Sequence, residues 1–215
     1  MKDRIKALII DLDNVLYDTE LFHYMSWKTM CSEAGLAFDR EGYKRIEGME
    51  IPDALETILR ANPLFSAPPA LRDMLSTKVR LLYRQYLASL TPAEVSDSVR
   101  STLRELKDRG YILMAYSSGE NAANVLEKLG LDGAFDHIYS EGIVPPHRRD
   151  AAPFEKMREI LGVESGECLV LDSTDGGLAS AAAAGMMRLG VGAGAALECD
   201  GKLDGFSDVL DWLKA

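Results

Sequence analysis

Two carboxylates, Asp11 and Asp13, follow the apolar run Ala7-Leu8-Ile9-Ile10 with a single residue between them. Side chains two apart on an extended chain point to the same side, so both acids can face one pocket, with Asp13 lying where the strand is already breaking. Two like charges that close repel each other. A folded protein keeps them ionised only where a cation, a cluster of donors or a shared proton compensates, so the pair points to a divalent metal or to acid/base work. A plain polar turn after a strand explains the pair less well, because neither carboxylate is needed to stop a strand and Asn14 alone would make the turn.

Such a pair needs a frame to hold it. From Thr91-Pro92 onward, helices that stop at glycine alternate with apolar runs that end in polar tips. A helix over Val99 to Arg109 stops at Gly110, and the strand Tyr111 to Tyr116 then meets Ser117-Ser118. A helix from Asn121 to Leu129 stops at Gly130 before the short strand His137-Ile138-Tyr139, and a helix from Ala152 to Leu161 stops at Gly162 before Cys168 to Leu171 meets Asp172. A helix from Gly177 to Ala184, a strand from Met186 to Val191 and a last helix from Phe206 to Leu213 complete the pattern. Repetition of this kind is the signature of right-handed βαβ units and a parallel sheet.

Residues 20 to 91 read differently, as helix after helix. Leu21 to Ala34 runs to a stop at Gly35, Asp39 caps a helix through Glu47 before Gly48, and Pro52 sits near a helix start where its missing N–H costs little. After the helix-breaking stretch Asn62 to Pro69, Leu71 to Leu90 carries Val79, Leu82, Tyr83, Tyr86, Leu87 and Leu90 at amphipathic helical spacing. The predicted fold class is therefore α/β. A doubly wound parallel-sheet core takes residues 1 to 16 and 92 to 215, with an all-helical cap inserted after the first strand over 17 to 91. An insert with two close crossings can hinge over the core as a lid.

In an open parallel sheet, ligands bind outside the C-terminal ends of the strands. The residues just past each predicted strand are Asp11 and Asp13, Ser117 and Ser118, Arg148 after the short third strand, and Asp172 to Asp175. Two acids, a hydroxyl, a cation and a further acid could build a site for a phosphate held by Mg²⁺. Ser117 precedes a helix start, where its hydroxyl and the following N–H groups could hold phosphate oxygens. Taken singly, Ser117 reads as a helix cap and Arg148, beside Arg149, as a solvated charge; the recurrence of such residues at each strand end is what favours a site.

Bulk properties narrow the partners. At 215 residues the chain can bury a full core, and its 47% apolar and 27% charged residues suit a soluble globular protein. No segment approaches the ~20 apolar residues of a membrane span, and the run after Met1-Lys2-Asp3-Arg4 is too short for a signal peptide. Cys31, Cys168 and Cys199 are odd in number and far apart, which suits free thiols in a reducing cytoplasm. A net charge of −10 disfavours a nucleic-acid partner but leaves room for a small anionic substrate met by local cations. The expected partner is a small phosphorylated metabolite, with no nucleic acid or membrane, and the expected state is a monomer or weak dimer.

These residues carry a resemblance. The chain resembles the haloacid dehalogenase superfamily, in the branch of β-phosphoglucomutase-like and sugar-phosphate phosphatase members with helical caps. The first motif matches Asp11-Leu12-Asp13-Asn14-Val15 and continues through Asp18-Thr19, His23, Trp27 and Lys28; Ser117 matches the second, with Asn121 beyond it. The fourth matches Asp172-Ser173-Thr174 with Gly177 and then Ala184-Gly185-Met186. The resemblance implies a Mg²⁺-dependent phosphohydrolase in which Asp11 is the nucleophile, giving an aspartyl-phosphate, and Asp13 is the general acid and base. It places the metal on Asp11, Asp13 and Asp172, makes Ser117 and Arg148 catalytic, and puts Ser118 and His23 on the substrate side. His23, on the first cap helix, could relay protons or lock the hinge.

Four departures accompany the resemblance. Arg148 stands where the family usually has Lys, a planar fork in place of a point charge. Ser173 stands where a second adjacent acid is usual, leaving Asp175 as the nearby substitute and predicting weaker Mg²⁺ binding, with Ser173 holding at most a water. Asn14 replaces a common Gly, which a turn tolerates. Ile51 occupies the place of an Arg clamp for a second phosphate, which weakens a phosphomutase reading; a phosphate-binding module that has lost turnover is the remaining alternative.

Overall fold

The protein, a computed structural model, is described over residues 2–47, 49–117, 122–140, 150–192 and 199–214. Arg148, Ser118 and Asn121 lie outside the described residues. The chain divides into two compact units, Met1–Asp18 with Thr91–Ala215, and Thr19–Leu90.

The first unit is built on a six-stranded parallel sheet. Its strands are β1 (Ala7–Asp11), β2 (Ile112–Tyr116), β3 (His137–Tyr139), β4 (Cys168–Asp172), β5 (Met187–Val191) and β6 (Gly201–Leu203), in the order β3-β2-β1-β4-β5-β6. This is the doubly wound α/β arrangement, with the order reversing direction beside β1. β1 is central, pairing Ala7 to Ile112 on one side and to Cys168 on the other, and all five of its residues are buried. A parallel strand covered on both faces has no polar side, which is why Ala7 to Ile10 is continuously apolar. The first unit also carries α5 (Asp97–Asp108), α6 (Ala122–Lys128), α7 (Ala152–Leu161) and α8 (Asp175–Ala183), numbered after the four helices of the second unit, and one face of the sheet, with Ala7, Ile9, Met114 and Val170, packs with Phe154, Met157 and Leu161 of α7 and Ala181 of α8.

β6 was not anticipated: Gly201-Lys202-Leu203 is too short and mixed to show a strand period, and only its pairing to β5 makes it one. The helix expected from Gly177 instead begins at Asp175, because Thr174 caps it by accepting the Gly177 N–H at 3.1 Å. Near the C-terminus a 3₁₀ turn at Phe206–Asp208 precedes a four-residue helix, Val209–Trp212, where one continuous helix was expected.

The second unit is all helical among its described residues: α1 (Glu20–Ala34), α2 (Arg40–Lys44), α3 (Ile51–Ala61) and α4 (Pro69–Ala88). Gly35 ends α1 at φ 72°, a left-handed conformation that costs glycine little. Asp39 caps α2 by accepting the Gly42 N–H at 2.7 Å, but that helix ends at Lys44, short of Glu47. α4 starts at Pro69, earlier than its apolar spacing indicated, since proline is at home in a first turn. Tyr24, Trp27, Met30, Leu55, Ile58 and Val79 form this unit's core, with Ile51 packed against it.

Candidate active site

The site is assembled on the sheet's C-terminal edge. Asp11, the last residue of β1, pairs in register with Tyr116, the last of β2. Ile10 pairs with Leu171, so Asp172 follows at the same level on the other side of β1. Residues at one level in neighbouring strands share a face. Tyr116, Asp11 and Asp172 therefore line up across three strands, exposed by 4%, 7% and 2% respectively.

Beyond Asp11 the backbone coils into a tight turn. The Leu12 N–H still donates to the Tyr116 carbonyl at 2.8 Å, and the Leu16 and Tyr17 N–H groups both turn back to the Leu12 carbonyl at 3.1 Å. Asn14 sits at φ 61° in this turn. That explains the residue type, since Asn adopts the left-handed region more readily than other side chains except glycine. Asn14→Gly is expected to change stability by less than about 0.5 kcal/mol, whereas the β-branched Asn14→Val should cost about 1–2 kcal/mol by chemical denaturation.

The turn leaves Asp13 half-buried, with its Oδ2 accepting from the Ser117 hydroxyl at 3.0 Å. Ser117 thus joins the site by orienting an acid. On the other flank the Ser173 hydroxyl donates to the backbone carbonyl of Asp13 at 3.2 Å, a direct contact where at most a bound water had been expected.

Asp172 is held from several directions. Its Oδ1 accepts the Thr174 N–H at 2.7 Å and the Thr174 hydroxyl at 2.8 Å, and its Oδ2 accepts the Tyr116 hydroxyl. The Thr174 hydroxyl serves twice, donating to Asp172 and accepting from Gly177. Gly177 lies against the same carboxylate: a Cβ there would fall within bonding range of Oδ2, so no other residue fits without moving Asp172. The spacing of Asp172, Thr174 and Gly177 is a carboxylate bedded on the first turn of α8.

Electrostatics sharpen the picture. Burial first, then the charges of Asp172 and Asp13, push the Asp11 carboxyl well above its ordinary value near 3.8; N–H groups of Asp13 and Leu12 oppose this less strongly. Burial also raises Asp172, despite the hydrogen bonds from Tyr116 and Thr174. Two buried acids that repel each other form a concentration of negative charge that a cation would relieve. The available donors are hard oxygens, the Asp11 and Asp172 carboxylates and the Asp13 carbonyl, which is the set Mg²⁺ takes. Among the described residues no group of three His, Cys, Asp or Glu is placed to hold a metal ion, and the residue that follows Asp172 is Ser173, not an acid. With that shortfall, the residues still fit a divalent cation completed by water.

The other expected residues are placed as follows. His23 lies exposed on α1 of the helical unit, its ring stacked on Tyr83 at 4.0 Å. Asp175 is the half-buried first residue of α8. Arg148 and Ser118 fall outside the described residues. Sequence reasoning passed over Tyr116, reading it as the apolar end of a strand. The available signal was its register level with Asp11, which a phenol would use to reach a carboxylate one strand further on.

The chain is similar to known proteins. The chain is 27% identical over 195 residues to the β-phosphoglucomutase of Bacillus subtilis (strain 168), covering 88% of this chain and 84% of that one. It is 28% identical over 189 residues to the fructose-1-phosphate phosphatase of Escherichia coli (strain K12), covering 86% and 96%. The crystal structure of a β-phosphoglucomutase from Clostridium difficile has the same fold, with a TM-score of 0.80 over 98% of this chain and 96% of that chain at 23% identity. The family model of the haloacid dehalogenase-like hydrolases matches residues 5–185, which takes in the ends of β1, β2, β3 and β4, and the chain belongs to that family.

Proposed function

We propose that the protein hydrolyses the phosphoester of a small phosphorylated metabolite, of the sugar-phosphate class named for its relatives, through a phosphoryl group carried on Asp11. The observation that carries this reading is the pairing of a buried carboxylate at the end of the central strand with a half-buried one, Asp13, held by Ser117. Asp11 attacks phosphorus in line with the ester oxygen; the phosphorus–oxygen ester bond breaks, and the protonated Asp13 carboxyl gives its proton to the departing alkoxide. Asp13, now a carboxylate, takes a proton from water as that water attacks the phosphoryl group, releasing phosphate and restoring Asp11. The Ser117 hydroxyl keeps Asp13 oriented for both transfers.

Asp11, the Asp13 carbonyl and Asp172 are the groups assigned to hold Mg²⁺, which supplies neutralisation of the phosphoryl charge. Arg148, as a planar fork, and Ser118 are assigned to the phosphoryl oxygens. The helical unit Thr19–Leu90, including His23, is assigned the selection of substrate. Hydrolysis is preferred to phosphoryl migration between two positions of one sugar because Ile51, packed against its own helical core, offers no cation for a second phosphate. Ser173 on the Asp13 carbonyl favours one other reading, a phosphate-binding module with little turnover.

A panel of hexose, pentose and triose phosphates with Mg²⁺, followed for both released phosphate and isomerised sugar, tests the assignment. Release of phosphate without isomer is the expected result. An isomerised sugar phosphate that needs a bisphosphate primer, or phosphate binding with no release from any ester, would overturn it.

A further inference from the structure

Tyr116 crosses from β2 to reach Asp172 on β4, passing the strand that carries Asp11 between them. Its ring is fixed edge-on against Phe154 of α7 at 5.4 Å, so the hydroxyl is delivered to Oδ2 by a packed side chain. A carboxylate has about four acceptor positions. On Asp172 the Tyr116 hydroxyl, the Thr174 N–H and the Thr174 hydroxyl fill three, and the Ser173 N–H also bears on the same group. Three of those donors come from the two residues that follow Asp172 and move with it. Tyr116 alone comes from another strand.

We propose that Tyr116 is a built-in competitor for the cation, its hydroxyl occupying on Asp172 the coordination position that a metal ion would take. Cation binding and the phenol's hydrogen bond then exclude one another. A neutral donor closes that position on Asp172, and an ion enters only by displacing it. Together with the Ser173 hydroxyl on the Asp13 carbonyl, this places hydrogen-bond donors on the oxygens of two of the three assigned ligands. Tyr116 is thus a positioning residue that sets cation affinity from outside the ligand set. The inference rests on the cation reading under the proposed function.

The test is Mn²⁺ binding to the unliganded protein, followed by electron paramagnetic resonance and calorimetry with no substrate present, for the wild type, Tyr116→Phe and Ser173→Asp. Hydrogen bonds to charged groups are strong enough that removing this competitor should tighten Mn²⁺ binding about tenfold or more in Tyr116→Phe. A purely structural tyrosine predicts the opposite, equal or weaker binding. If the Phe variant does not fold, Tyr116→Leu, which also lacks the hydroxyl, takes its place. Unchanged or weaker binding in the hydroxyl-free variant while Ser173→Asp tightens overturns the role of Tyr116 and leaves the cation site standing. Absence of Mn²⁺ binding in all three proteins overturns the cation reading, and the competitor with it.

Discussion

Asp11→Asn is expected to lower turnover of any accepted phosphoester by about 10³-fold or more and, in cation-free buffer at neutral pH, to make the protein more stable. The loss follows from removing the proposed nucleophile while leaving the strand intact. The gain follows from removing a buried charge that Asp172 and Asp13 both repel. Relief of such functional strain is typically about 1–2 kcal/mol, which in a chain of this length raises the melting temperature by about 2–8 °C. The sign with pH is fixed by the upward shift of Asp11. The folded protein holds the proton more tightly than the unfolded chain, so wild-type stability falls as pH rises from the ordinary carboxyl value near 3.8 through the folded value. The advantage of the Asn variant should therefore be small in acid and grow toward neutrality, and scanning calorimetry across that range checks it. An advantage that shrinks as pH rises would mean that Asp11 is compensated in the empty protein.

Gly177→Ala should be the most damaging single methyl group in the site. Its Cβ would collide with the Asp172 carboxylate, which is anchored by Tyr116 and Thr174 and cannot swing aside without losing those bonds. Overpacking plus a buried acid stripped of its donors is expected to cost about 3–5 kcal/mol and to lower the melting temperature by about 6–20 °C. Double substitution with Asp172→Asn should recover little, because the amide needs the same space. Asp172→Gly combined with Gly177→Ala should recover much of the loss, since the obstructing side chain is then gone. Recovery by Asn as complete as by Gly would show that charge, and not space, sets the cost.

Some of these features are legible in the residues and others are not. The central strand is legible because a parallel strand buried on both faces must be apolar until it reaches the pocket, so the first two acids after Ile10 stand out. Helix ends at Gly35, Gly110 and Gly162 are legible because a left-handed cap selects glycine at each, φ 72°, 83° and 67°. β6 is not, because three residues carry no period and the pairing that defines them lies in β5. The partners within the site are hidden for a different reason. Ser173 reads as a missing acid, and only the fold shows its hydroxyl on the Asp13 carbonyl; Tyr116 reads as core, and only strand register shows that its hydroxyl reaches Asp172. One-dimensional spacing locates residues along an element, whereas these contacts run across strands.

The central claim is that Asp11 receives the phosphoryl group. Beryllofluoride with Mg²⁺ mimics a phosphorylated carboxylate, and a crystal structure of that complex locates it at atomic detail. Fluoroberyllate is expected on the Asp11 carboxylate, with Asp13 beside it and still oriented by Ser117. Fluoroberyllate on Asp13, Asp172 or Asp175 in place of Asp11 would contradict it.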